Sequence, residues 1–171
     1  MAVAHTSRIR IEKHEGPHRT AHVEDFADPI HFSVHGGIKH FYKEKYGREI
    51  VGPEYPATLD HIIAGVGGWL TGTLGTALDA RGIKSAENLV AHVEGDIEDV
   101  DGVLKIAKIR LKYFFKIPPD TKEKAERALA LYADMCPAYQ TVKNCVEVTW
   151  DAEMEESWTM AFNRMNGAGI Y

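Results

Sequence analysis

Between Leu59 and Ala80 the chain returns to the same face every three or four residues. Leu59, Ile62, Ile63, Val66, Trp69, Leu70, Thr73, Leu74, Ala77 and Leu78 trace one continuous helical stripe. The opposite side is not polar: Ala64, Gly68, Gly72 and Gly75 or Thr76 form a second stripe of small residues, where a backbone or a ligand can come close to the helix axis. Each glycine inside a helix costs about 0.8–1 kcal/mol relative to alanine, so propensity alone does not make this segment helical. Burial has to compensate, which predicts a central helix covered on both sides.

Strand patterns flank that helix. Ser7 to His14 alternates with Ile9 and Ile11 inward, and Thr20 to Glu24 alternates through Ala21 and Val23; Glu15-Gly16-Pro17-His18 between them reads as a hairpin turn. Ile30, Phe32 and Val34 predict a third strand ending at Gly36-Gly37, with His31 and His35 on its other face. Ile38 to Pro56, with Pro53 and Pro56, predicts an ordered loop rather than a helix. Beyond the helix, Arg81-Gly82-Ile83 is a stop signal with glycine in the left-handed position. Leu89 to Glu98 and Val103 to Phe115 predict two strands turning at Asp101-Gly102. The second sets Ile109, Leu111, Tyr113 and Phe115 on one face and Lys108, Arg110 and Lys112 on a solvated one.

Pro118-Pro119-Asp120 then opens a second helix, Asp120 serving as N-cap, with Ala125, Ala128, Leu129, Tyr132, Met135 and Cys136 as its buried stripe. Pro137 breaks it and starts a short helix to Asn144, which puts Cys136 at a helix N-terminus. Two roles are open there: a thiolate favoured by helix-end N–H groups, or a small apolar core residue. Val146, Val148 and Trp150 make a last strand. From Asp151 onward Met154, Trp158, Ala161 and Met165 recur at helical steps, so 151–171 reads as a helical extension on a 1–150 domain.

Composition narrows the function classes. Net charge is −5 and pI about 6.0, with no basic stripe, which argues against nucleic acid or an anionic membrane as partner. About 17 uncharged, glycine-rich residues in the central helix sit at the short limit for spanning a bilayer. MAVAHTSRIR holds no apolar run to serve as a signal peptide, so a cytoplasmic location is expected. Gly67 and Gly72 have the outer spacing of a phosphate loop, but Thr73 stands where its lysine belongs; Gly65-x-Gly67 is followed by Leu70 where a dinucleotide fingerprint has its third glycine. His14-Glu15-Gly16-Pro17-His18 spells H-E-x-x-H, yet Gly16-Pro17 breaks the helix that zinc site requires. Cys136 and Cys145 are too few for a disulfide framework and are spaced wrongly for zinc, so neither a metal nor a cofactor is expected.

The glycine-rich central helix with its Ala80-Arg81-Gly82-Ile83 ending, and the Cys-Pro step in CPAYQTVKNC (136–145), resemble the OsmC/Ohr family of osmotically inducible and organic hydroperoxide resistance proteins across most of residues 5 to 150. The resemblance implies an α+β fold, antiparallel sheets wrapped around a buried central helix, in an intertwined homodimer with sites at the interface. It also implies thiol-dependent reduction of organic hydroperoxides by two cysteines, tuned by an arginine and a carboxylate. Cys136 matches the second, resolving cysteine; Asp60 matches the carboxylate near the helix start, and Arg48 falls about where the arginine precedes the helix. Trp69 stands where the first, attacking cysteine belongs. An indole neither attacks an O–O bond nor becomes a sulfenic acid. The expectation is therefore a family member impaired in two-cysteine peroxidase chemistry, whose interface pocket takes a small apolar or hydroperoxide ligand. Trp69, Tyr139, His61 and Gly68 are the ligand-binding candidates. The alternative is a single-cysteine thiol peroxidase acting through Cys136 with an external thiol reductant. Acid–base chemistry by Asp60, His61 and Arg48 on the same scaffold is a third reading.

Overall fold

The structure is a computed structural model and describes residues 2–47 and 49–157. It is an α+β chain dividing into two compact units between His61 and Ile62, inside the central helix.

In the first unit, β1 (Ile9–Lys13), β2 (Arg19–Val23) and β3 (Ile30–Phe32) form an antiparallel sheet in that order. The expected hairpin is present, with Ile11 opposite Ala21, and its turn has Gly16 at φ +59°. Ile9 and Ile11, expected inward, lie on an edge strand and remain 53% and 64% exposed, because none of the described residues covers that face. The expected loop after β3 is in its first half a helix, α1 (Gly36–Tyr46), followed by the segment 47–57 that carries the prolines. Gly47 closes α1 in the left-handed conformation, its N–H on the Lys43 carbonyl. No residue of α1 is fully buried, but Ile38, Phe41 and Tyr42, half-buried at i, i+3 and i+4, make a short helical stripe that the reading of the whole stretch as a loop passes over.

The central helix, α2, runs Thr58–Asp79. In the second unit its buried face is Ile63, Val66, Gly67, Leu70, Leu74, Gly75 and Leu78, a narrower stripe than expected. Its contact with β4 (Val90–Val100) is close because glycine alternates with a branched side chain: a Cβ on Gly67 would lie 2.7 Å from Val93 Cγ2, and one on Gly95 would overlap Ile63. The outer face is open. Ala64, Gly68, Gly72 and Thr76 are exposed, as is Trp69 at 57%, so among the described residues of the single chain only one side of α2 is covered. The helix ends as expected, Gly82 at φ +76° letting the Ile83 N–H reach the Leu78 carbonyl at 3.0 Å.

The second sheet has the order β4–β5–β6, with β5 at Val103–Ile117 and β6 at Glu147–Glu156. Asp101 and Gly102, at φ +54° and +78°, form the turn between β4 and β5 that Asp-Gly predicts. β6 runs parallel to β5, so this sheet is mixed rather than antiparallel. The cause is the helical crossover between them, which returns the chain to the end where β5 began. That crossover is α3 (Lys122–Leu131), a 3₁₀ turn (Tyr132–Met135) and α4 (Pro137–Val142). Asp120 does not cap α3: it takes φ +61°, and Thr121 holds the N-cap position. Asp151–Glu156, expected to start a helix, continues β6. Met154 and Ala152 pack on the core from it, while Trp158, Ala161 and Met165 lie outside the described residues. β5 gives the core Ile109, Leu111, Tyr113, Phe115 and Ile117, and its other face is solvated and paired, Lys108 with Glu147 at 2.8 Å and Arg110 with Asp96 and Glu94.

Candidate functional site

The exposed face of α2 and the helical crossover enclose an apolar groove of about 630 Å³ in the second unit. Trp69, Gly72, Thr73 and Ala77 form one wall; Leu131, Tyr132 and Met135 face them from the end of α3 and the 3₁₀ turn. The absence of a side chain at Gly72 leaves open space beside Trp69. Met135, expected in the buried stripe, is 78% exposed on the rim, because the tightening to three residues per turn from Tyr132 onward rotates it off that stripe. Arg81 closes one end, its guanidinium donating to the Ala77 carbonyl at 2.8 Å.

Below the groove lies a buried polar pair. The Tyr132 hydroxyl donates to that of Tyr113 at 3.2 Å, and both rings are inaccessible to water. Burial pushes the Tyr113 phenol up to about 12, with the Tyr132 and Thr71 hydroxyls acting the other way. Tyr132 is raised as well, first by burial and then by Tyr113 beside it. Cys136 sits within the field of both phenols, is fully buried, and does not line the groove. It is the N-cap residue of α4, but that helix has six residues and the thiol makes no cap hydrogen bond. Its place in the core is that of a small apolar residue. Cys145 is exposed, its thiol 3.2 Å from the Val142 carbonyl.

The other candidates are distributed elsewhere. Tyr139 is half-buried with its ring edge-on to Trp150 at 5.6 Å and does not reach the groove. Gly68 lies on the open face of α2 with nothing near it. In the first unit, Asp60 accepts from the Ala57 N–H at 2.6 Å and from His35 Nε2 at 2.7 Å, the geometry of a carboxylate closing the first turn of α2. His61 Nε2 lies 3.0 Å from the His31 carbonyl, its ring edge-on to Phe32. Arg48 lies outside the described residues. His31 and His35, on one face by sequence, part company: His35 joins Asp60, and His31 meets His18. Sequence reasoning missed the groove residues Leu131 and Met135, and the rotational phase that exposes Trp69; the signal available was the run of small residues at 65, 68 and 72, which marks the open side. Among the described residues no group of three or more His, Cys, Asp or Glu side chains is placed to hold a metal ion, and no helix is long and apolar enough to cross a membrane.

The family model for OsmC-like proteins matches residues 52–151, which takes in α2, β4, β5 and the crossover that builds the groove. The chain belongs to the OsmC family. Its fold is shared with an OsmC-like protein from Mycoplasma pneumoniae (16% identity, TM-score 0.68, 90% of this chain and 99% of that one). An OsmC-like protein of unknown function from Vibrio cholerae matches at 10% identity and TM-score 0.68, over 87% of this chain and 99% of that one. The organic hydroperoxide resistance protein OhrB of Bacillus subtilis matches at 16% identity and TM-score 0.56, over 88% of this chain and all of that one. No curated protein sequence matches the chain.

Proposed function

We propose that this protein is an OsmC-family homodimer that keeps the groove beside α2 as a binding site for a small apolar ligand and does not carry out two-cysteine hydroperoxide reduction. The observation that carries this reading is Trp69. It stands at the position the family resemblance gives to the attacking cysteine, and in this fold it forms the groove wall rather than filling the core. Cys136 does not replace it, since a fully buried thiol outside the groove has no access of its own to a peroxide or to an external thiol. That burial also weighs against the single-cysteine alternative. A second copy supplies what the single chain lacks: cover for the glycine face of α2 and Trp69, and for Ile9 and Ile11 on the edge strand. The ordinary setting for such a protein, with two unpaired cysteines, is the cytoplasm.

The test is exposure of wild type, Trp69→Cys and Cys136→Ser to an organic hydroperoxide with a dithiol reductant. Wild type is expected to give neither turnover nor an intramolecular disulfide, and Trp69→Cys to gain measurable peroxide consumption. Efficient wild-type turnover that persists in Cys136→Ser would overturn the reading. Sedimentation at low micromolar concentration should show a dimer, and a well-folded monomer there would remove the homodimer from it.

A further inference from the structure

Eight of the chain's nine histidines (5, 14, 18, 22, 31, 35, 40 and 61, with only 92 beyond) fall in the first unit, and three of them meet at the tip of the β1–β2 hairpin. His18 Nε2 lies 3.1 Å from His31 Nδ1. The two ring centroids are 5.4 Å apart and the planes differ by 9°. That separation equals the N···N distance plus the two ring radii, so the imidazoles lie edge to edge on one line, nearly coplanar, with their facing nitrogens aimed at each other. Such a contact holds one proton, carried by one nitrogen and accepted by the other. One added proton can go to an outer nitrogen and leave that contact in place; only when both rings are charged do two N–H donors and two positive charges face across the gap, where like charges repel and no lone pair remains.

The surroundings give that second charge no counter-ion. From the turn come Lys13, whose ammonium donates to the carbonyls of His14 and Gly16, and His14, whose ring lies 4.6 Å from that of His18 with Nε2 2.9 Å from Thr20 Oγ1. From β2 comes Arg19, 3.3 Å from Thr58 Oγ1. From the 47–57 segment comes Tyr55, whose ring covers the pair, 5.1 Å from His18 and 4.6 Å from His31. Desolvation first, and then Coulombic repulsion from His14, His31, Lys13 and Arg19, hold His18 below the usual histidine value of 6.5. Among the described residues no carboxylate pairs with His18 or His31, unlike His22, His35 and His40, which face Glu12, Asp60 and Glu44.

The pair also joins three segments. His18 belongs to the turn, His31 to β3, and Tyr55 to the segment leading into α2. The turn and that segment touch backbone to backbone: Gly16 lies so close under the Val51 carbonyl that a Cβ there would overlap it, and Gly52 lies against Pro17. We propose that the His18–His31 pair is an acid-released clasp, holding the hairpin tip, β3 and residues 49–57 together while a single proton lies between its facing nitrogens and letting them part when both rings become charged. The direction follows from linkage: a histidine whose value is lowered in the closed state binds protons better when open, so the clasp is firm above the open-state value near 6.5 and weakens as pH falls below it.

Hydrogen exchange of backbone amides in 12–20 and 49–57, corrected for intrinsic rates, tests this at about pH 7.5 and about pH 5.5. Wild type should lose protection in both segments by about fivefold or more at the lower pH, with β4 and β5 unchanged. His18→Gln, whose amide can still donate to His31 but takes no proton, should be nearly flat between the two. Equal protection of wild type at both pH values, or an equal loss in His18→Gln, overturns the proposal. The imidazole nitrogens of the wild-type protein give a reading that needs no variant: His18 should become charged below the ordinary histidine range, and titration of His18 at or above its ordinary value overturns the clasp.

Discussion

Gly67→Ala is a test of how tightly α2 is seated on the second sheet. The new Cβ would lie 2.7 Å from Val93 Cγ2, 3.0 Å from Cγ1 and 3.3 Å from Cβ. Both branches of the valine are in the way, so rotation about χ1 does not clear it, and the helix and strand must separate by some tenths of an ångström. Overpacking of this kind costs about 1–3 kcal/mol. Replacing a helical glycine by alanine returns about 0.8–1 kcal/mol, so the net loss should be about 0–2 kcal/mol. In a Val93→Ala background the two nearest atoms are gone and the same substitution should be neutral or stabilising, giving a coupling of at least about 1 kcal/mol between the positions. Urea unfolding at fixed protein concentration, with all four proteins compared by midpoint and slope, reads this directly. Should Gly67→Ala raise stability by the full alanine preference in the wild-type background, or should the coupling vanish, the close seating of α2 on Val93 is wrong.

The two thiols should separate cleanly toward a disulfide reagent in the native protein: Cys145 reacts within the mixing time of a thiol in water, while Cys136 waits for unfolding and reacts only in denaturant. Fast reaction of two thiols in buffer would contradict the burial of Cys136. At alkaline pH the raised phenol of Tyr113 makes the folded state hold its proton more tightly than the unfolded chain, so stability is intact below about pH 10 and falls as pH rises through about 12. Spectrophotometric titration should therefore leave buried tyrosine un-ionised at pH 11, and Tyr113→Phe should flatten the alkaline loss of stability.

What the amino-acid pattern discloses depends on whether an element has two unlike faces. The hairpin, the β4–β5 turn at Asp101-Gly102 and the stop at Gly82 are all legible because alternation or a left-handed residue marks them locally. α1 is signalled too, by Ile38, Phe41 and Tyr42 at i, i+3 and i+4 and by Lys43 and Lys45 before Gly47, but Pro53 and Pro56 further on weigh the whole stretch toward a loop. The far half of β6 misleads for another reason. Trp150, Met154 and Trp158 are four apart, a step that suits both a strand of period two and a helix of period 3.6, while the alternation of Val148, Trp150, Ala152 and Met154 against exposed Thr149, Asp151, Glu153 and Glu155 decides for the strand. Trp69 shows the limit most clearly. Its neighbours Val66 and Leu70 are buried and it is not, because the stripe seen in sequence was wider than the surface the second sheet offers to α2. The groove needs α2 and the 3₁₀ turn brought together, and no local pattern states that rotation.

The parallel entry of β6 governs the order in which the second unit can assemble. β4 and β5 are joined by a two-residue turn, so their ladder closes with short loops and small entropy loss. Lys108 and its partner Glu147 are separated by the whole of α3, the 3₁₀ turn and α4, so β6 docks only after that crossover has packed. Emerging after β4, β5 and the crossover, the strand that carries Trp150 and Met154 completes the core from the edge, and until it arrives β5 presents an unpaired edge to any other strand in reach.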